Sequence, residues 1–203
     1  MTTAATTSQT TITVGSDHRI ECERLTLRVV ALSDYEYFSG LLTDPVVMRY
    51  IGVEAGRIPS ANEVKAHVQR AVGVWRTRGY GRWSVFDRET GDFVGFSGFR
   101  CEDGMPELVS IVHERYWGNG YALEATRLVV EHAFGVMALR RLEADVDPRN
   151  LASLRLLDRL GFAREGLLRE RWQVDGGTQD SLICGLLERD YVAAMARVAQ
   201  SGA

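Results

Sequence analysis

The sequence predicts a single α+β domain of about seven strands, and three observations predict it. An apolar run, Leu108 to Val112, stops at a glycine turn, passes into a helical pattern from Tyr121 to Phe134, and is followed by a second strand-like run from Arg141 to Val146. A strand, helix and strand in that order form a parallel unit. Two capped helices and a hairpin precede the unit, and two strands with a terminal amphipathic helix follow it. Composition agrees, since 203 residues with 45% hydrophobic and 25% charged side chains suffice for one sizeable core.

Residues 1–20 read as a mobile tail, Thr-rich from Met1 to Asp17, and residues 21–203 as the domain. Leu25, Leu27 and Val29 alternate with polar residues as a first strand. Ser33-Asp34-Tyr35-Glu36 has the spelling of a capping box, and Asp44-Pro45 ends the helix it opens. Ser60-Ala61-Asn62-Glu63 spells a second box, followed by Val64, His67, Val68, Ala71, Val72 and Trp75 at helical spacing until Gly79 and Gly81 break the pattern.

Arg82 to Asp87 reads as a strand, Glu89-Thr90-Gly91-Asp92 as a hairpin turn, and Phe93 to Arg100 as the partner strand with Phe93, Gly95, Ser97 and Phe99 on one face. Glu107 to Val112 opens the parallel unit, whose helix carries Ala122, Ala125, Val129, His132 and Ala133 on one stripe. Asp147-Pro148-Arg149-Asn150 starts a short helix through Leu160, and Gly161 ends it. Two strands meet around Asp175-Gly176-Gly177, and Arg189 to Ala199 is helical and amphipathic.

Several function classes lose support. A formal charge of -3 argues against a dedicated nucleic-acid binder, although the 24 basic residues are all Arg except Lys65. Cys22, Cys101 and Cys184 lie far apart without metal-ligand spacing, so neither a disulfide framework nor a metal site is indicated. No segment reaches membrane-span or signal-peptide character, and a cytoplasmic protein without a membrane partner is expected.

The informative stretch is Val112-His113-Glu114-Arg115-Tyr116-Trp117-Gly118-Asn119-Gly120-Tyr121-Ala122. Two glycines with one residue between them remove side chains where backbone N–H groups converge, and the helix that follows adds its unpaired N–H groups and dipole. Such a turn holds an anion, most often a phosphate, or serves only as a tight strand-to-helix turn. Leu123 stands where a dinucleotide fingerprint needs glycine, and no Gly-Lys-Ser/Thr follows to make a nucleoside-triphosphate loop.

Glu107 to Ala125, with Asn150-Leu151-Ala152-Ser153 and Leu160-Gly161-Phe162, resembles the GNAT superfamily of acetyl-CoA-dependent N-acetyltransferases. The spelling Tyr-Trp-Gly-x-Gly-Tyr-Ala followed by Glu-Ala looks like its ribosomal-protein N-acetyltransferase branch. The likeness runs on through Glu165-Gly166, Leu168-Arg169, Asp175-Gly176 and Leu186-Leu187, covering roughly Arg24 to Tyr191. It implies a mixed, mostly antiparallel sheet with helices on both faces, and acetyl-CoA as cosubstrate. It also implies an amine acceptor, either a small molecule or a protein N-terminus, and allows a homodimer. The alternative is a CoA-binding regulator without turnover.

By position, the family's phosphate loop falls on Trp117, Gly118, Asn119, Gly120, Tyr121 and Ala122, with Trp117 standing where Arg or Gln is usual. The resemblance implies that Ser110, Ile111 and Val112 receive the pantetheine arm, mainly through the backbone of Ser110 and Val112, and that Asn150 contacts the cofactor. It places Glu107 where this branch often carries an active-site glutamate. Ser153 is a candidate donor to the CoA sulfur, and His113 is a second candidate base. Leu157 stands where many members have a tyrosine acid. Each assignment has a plainer counterpart: Glu107 as a strand-end charge and Asn150 as a helix cap over Ser153, while His67 and His132 read as core or surface histidines and Trp75, Trp83 and Trp172 as packing or groove walls. The segments Val46 to Gly56 and Arg76 to Arg82 are expected to shape the acceptor groove.

Overall fold

Nine strands join in one sheet, ordered β1-β2-β3-β4-β5-β6-β7-β9-β8, in the computed structural model, which describes residues 13–14, 18–51, 56–100, 106–174 and 176–201. The strands are β1 Thr13–Val14, β2 Ile20–Glu21, β3 Leu25–Val29, β4 Arg82–Asp87, β5 Phe93–Arg100, β6 Glu107–Val112, β7 Arg141–Val146, β8 Ala163–Val174 and β9 Gly177–Leu187. Six helices accompany them: α1 Tyr35–Leu42, α2 Pro45–Met48, α3 Ala61–Arg78, α4 Tyr121–Gly135, α5 Leu151–Leu160 and α6 Glu188–Ser201. Every neighbouring pair is antiparallel except β6 and β7. The exception follows from the α4 crossover that joins them.

Seven of these strands are the expected ones; β1 and β2 are two-residue additions. They overlap the span read as a tail, with Thr13 and Val14 pairing with Glu21 and Ile20, and Ile20 fully buried. Residues 1–12 and 15–17 lie outside the described residues, as does Asp175 of the expected turn. Among the described residues no helix is long and apolar enough to cross a membrane.

Register places helices on both faces. Trp83 pairs with Ser97 and Ser84 with Phe96, so Trp83 and Phe96 point to opposite sides. Phe96 stacks on Phe38 of α1 at 4.8 Å, whereas Trp83 meets His132 of α4 at 5.1 Å. The expected face of β5 needs one correction. Between Val85–Gly95 and Phe86–Phe93 the register shifts, leaving Val94 as the extra residue of a bulge. Phe93 therefore turns to the α1 side, 5.9 Å from Phe38 and stacked on Tyr37.

Local chemistry explains the helix ends. Ser60 and Glu63 make both arms of their capping box, with Glu63 N–H donating to Ser60 Oγ at 3.4 Å and Ser60 N–H to Glu63 Oε2 at 2.8 Å. Gly79 closes α3 and Gly161 closes α5, both left-handed, at φ +71° and +89°. The box expected at Ser33–Glu36 does not form. A 3-10 turn at Leu32–Asp34 precedes α1, and Asp34, fully buried, is drawn inward instead. Its carboxylate accepts from both Arg28 guanidinium nitrogens at 2.9 and 2.5 Å, from Ala31 N–H at 2.9 Å and from Ser84 Oγ at 2.6 Å.

A charge so enclosed tolerates loss of neither partner. Asp34→Ala is expected to lower unfolding free energy by about 3–5 kcal/mol, because Arg28 and Ala31 N–H lose their acceptor while Ser84 stays buried. Urea denaturation at unchanged m-value checks this, and a loss near zero would show that the network is incidental.

Candidate active site

Two features converge where β6 and β7 part. The strands pair at a single position, Glu107 with Glu143, although β6 continues to Val112 and β7 to Val146. His113 N–H donates to Val94 O at 2.9 Å on the β5 side, so by strand alternation the backbones of Ser110 and Val112 face the gap and that of Ile111 faces β5. The Val112 carbonyl accepts from Trp117 Nε1–H at 2.8 Å. The glycine loop is thereby tied to the end of its own strand.

Beyond that tie, Gly118 at φ +77° and Gly120 at φ +81° adopt left-handed backbone that side chains disfavour. Gly120 caps α4 without any side-chain hydrogen bond, so the first N–H groups of the helix, from Tyr121, Ala122 and Leu123, receive no side-chain cap. A Cβ on Gly118 would meet nothing within 4 Å, which leaves open space over the turn. These features fit a phosphate. Arg24, just before β3, latches the loop: it donates to Glu124 Oε2 at 2.8 and 2.5 Å and to Asn119 O at 3.2 Å, and lies 4.7 Å from the Tyr121 ring centre.

Next to the gap lies a cleft of about 840 Å³ whose walls include Glu107, Ser110, Ile111, Asn150, Ser153 and Leu157. Val112 and the loop residues Trp117 to Ala122 lie outside its lining, and so does His113, packed edge-on to Phe93 at 6.0 Å. Thr126 connects cleft and loop. Its hydroxyl donates to Ala122 O at 2.7 Å, in the first turn of α4, and lies 3.0 Å from Ser110 Oγ. Asn150 caps α5 by accepting from Ser153 N–H at 3.1 Å, while the Ser153 residue lines the cleft.

Glu107 is wedged at the vertex of the gap. Arg100, its register partner on β5, reaches its carboxylate at 2.7 Å, and the backbone N–H of Asp145 donates to it. Burial pushes its carboxyl pKa up, against these two donors, and the neighbouring Asp145 carboxylate adds to the rise. Asp145 in turn accepts from the Ser181 hydroxyl.

Arg100, Thr126 and His67 were not singled out from sequence as site residues, yet all line the cleft. Hairpin register alone could have found Arg100, opposite Glu107. The groove segments are met in part: Met48, Tyr50 and Ile51 line the cleft, residues 52–55 are outside the described residues, and of Arg76 to Arg82 only Arg82 contributes.

Fold and site together are those of an N-acetyltransferase. The family profile for the acetyltransferase (GNAT) domain matches residues 24–163, and the chain belongs to that family. It is 31% identical over 172 residues to the uncharacterized N-acetyltransferase p20 of Bacillus licheniformis, covering 83% of this chain and 96% of that protein. The solved acetyltransferase (GNAT family) from Bacillus anthracis superposes with a TM-score of 0.72 at 24% identity, over 84% of this chain and 99% of that one. The ribosomal-protein-S5-alanine acetyltransferase from Vibrio fischeri gives 0.70 at 18%, over 85% and 98%, a likeness of fold.

Buried histidines give the molecule an acid-side liability. Burial, reinforced by Arg82 and Arg70, pushes His67 down to about 3, and burial with His18 nearby pushes His132 down to about 4, from an ordinary 6.5. Between pH 6.5 and those values the unfolded chain binds protons that the folded chain refuses, so stability is expected to fall as pH drops through that window. Urea midpoints from pH 7 to 4 should decline less steeply for His67→Gln than for wild type. Parallel declines would show that His67 is protonated in the folded state.

Proposed function

We propose that the protein transfers acetyl from acetyl-CoA to a primary amine, by direct attack while both substrates are bound. The observation that carries this reading is the single-position β6–β7 pairing, with Glu107 at its vertex and an uncapped helix N-terminus beyond it. The first-turn N–H groups of α4, with Gly118 and Gly120, would take the pyrophosphate, and the gap-facing backbone of Ser110 and Val112 would take the pantetheine arm. Ile111 would supply an apolar wall, Trp117 would brace the loop, and Asn150 would orient the thioester end. Acetyl-CoA supplies an activated acyl group; the chain's own residues position the amine and receive its proton.

The amine nitrogen bonds to the carbonyl carbon, the carbon–sulfur bond breaks, and sulfur leaves with the electron pair. A thiol of ordinary pKa near ~8.5 is a fair leaving group without an acid, so Leu157 in place of a tyrosine does not bar turnover. Ser153 would then offer at most a hydrogen bond to the departing sulfur. The harder step is at the amine. Neutralising an alkyl ammonium of pKa near ~10.4 at pH 7 costs roughly 4–5 kcal/mol, whereas an α-ammonium near ~7.7–8.0 costs about 1 kcal/mol. Glu107, with its proton affinity raised by burial, would accept that proton through water.

Acetyl-CoA-dependent thiol release over a panel of small amines and of peptides starting in Ala or Ser tests the reading. Turnover supports it, binding without turnover would make the chain a CoA-binding regulator, and absence of binding would overturn both. Gly120→Glu is expected to abolish acetyl-CoA binding with the fold retained, since a side chain is disfavoured at φ +81° and its carboxylate, next to Arg24, would compete for the guanidinium that holds the loop in shape. At about a hundred times the dissociation constant acetyl-CoA should stabilise wild type by roughly 2.7 kcal/mol and the variant not at all, as thermal or urea unfolding would read. For Glu107→Gln, kcat should fall by about 10²-fold or more with an alkyl amine and much less with an α-amine, the deficit shrinking as pH rises. Equal losses on both acceptors at every pH would leave Glu107 only a positioning role.

A further inference from the structure

The cleft has two ends of opposite character. At the β6–β7 end its acids are already engaged: Glu107 by Arg100 at 2.7 Å, Asp147 by Arg149 at 2.6 Å, and Asp145 by the Ser181 hydroxyl. At the α3 end the lining includes His67 and Arg70, about one turn apart on the helix, Arg82 from β4, and Glu63, whose carboxylate is already paired with Arg57 at 2.7 Å. Arg82 Nη1 lies 2.7 Å from His67 Nε2. A guanidinium can only donate, so Nε2 is the acceptor and the imidazole is the neutral tautomer with its proton on Nδ1. His67 therefore brings no charge of its own to this wall. Among the described residues Arg70 makes no ion pair or hydrogen bond, yet it lines the cleft and its charge is felt at His67.

Register fixes how far apart the two ends are. Arg82 pairs with Gly98 on β5, and Arg100, two residues along, pairs with Glu107 on β6. With strands about 4.8 Å apart and about 3.4 Å per residue, the backbones of Arg82 and Glu107 stand roughly 12 Å apart on one face of the sheet. Their side chains extend into that interval, which leaves room for a molecule a few bonds long. A cleft of about 840 Å³ is in the size range of small-molecule sites.

We propose that the acceptor is a small aminocarboxylate, its carboxylate received by Arg70 on the α3 wall, beside the Arg82–His67 pair, and its amino group presented at Glu107. The assignment rests on the acetyltransfer reading and narrows it. A polyamine would bring a second ammonium to the arginines, whereas a carboxylate there meets donors of matching charge and geometry.

The test is a matched pair of acceptors with similarly basic alkyl amines, 4-aminobutanoate and butylamine, with spermidine and peptides beginning in Ala or Ser alongside. Wild type is expected to favour 4-aminobutanoate over butylamine by about ten-fold or more in kcat/KM. In Arg70→Ala that ratio should fall towards unity through a higher KM, with Arg70→Lys between and acetyl-CoA affinity by calorimetry as in wild type. A ratio near one in wild type, a preference for spermidine or for the peptides, or an Arg70→Ala variant that keeps the wild-type ratio would overturn the assignment. Failure to bind acetyl-CoA or to acetylate any amine would instead overturn the acetyltransfer reading beneath it.

Discussion

The molecule depends on one departure from regular sheet geometry: β6 and β7, parallel neighbours, meet at one position and then separate. Each is secured on its far side, β6 by six paired positions with β5 and β7 by six with β9, so the gap between them cannot close by either strand drifting. A close approach on the β5 side reinforces this, since a Cβ on Gly95 would stand 2.1 Å from Ile111 O. Glu107 fills the vertex with a carboxylate bound by Arg100 of β5 and by the Asp145 N–H of β7. The parallel pair also requires a crossover, and the crossover helix starts at Gly120 without a side-chain cap. Open backbone, a helix N-terminus and an anchored carboxylate thus follow from one topology.

Anchoring also governs the charges around the gap. Arg141 binds both Glu143 and Glu165, which holds the Glu165 carboxyl below its ordinary range, while Arg100 only partly offsets the burial of Glu107. The difference is chemical. Glu165 is exposed and shares the Arg141 guanidinium with Glu143, whereas Glu107 sits partly buried beside Asp145 and keeps a raised affinity for a proton. In the proposed reaction that contrast separates a carboxylate that steadies the sheet from one that could exchange protons with an amine.

Much of the architecture was legible because it is locally encoded. The strands at 82–87, 93–100, 107–112 and 141–146 occur with the bounds their alternation and turns suggest, and Ser60 with Glu63 makes its box. Local spelling failed where a distant partner competed for the same atoms. Asp34 left a helix start to meet Arg28 and Ser84, fifty residues away in the latter case, and a bulge at Val94 turned Phe93 to the other face. The site divides in the same way. The glycine loop is contiguous and readable, but the cleft joins α3, β4, β5, β6, β7 and α5 by register, so His67 and Arg100 carried no local mark of their convergence.

Leu157 brings these strands of argument together. Buried at 4% exposure, it gives the cleft an apolar lining at the position where the family resemblance implies a tyrosine acid in many members. Removing a donor there costs little if the leaving group is a thiolate, because sulfur already departs as a weak base at neutral pH. In the proposed reaction it would also withhold a polar group from the cleft wall, and lower polarity strengthens charge interactions nearby. The same desolvation that raises Glu107 therefore acts where the amine must lose its proton, the costlier half of the proposed reaction. In the proposed reaction the absence of the tyrosine and the burial of the glutamate would act as a single arrangement, placing acid–base work at the acceptor and leaving the thioester to its intrinsic reactivity.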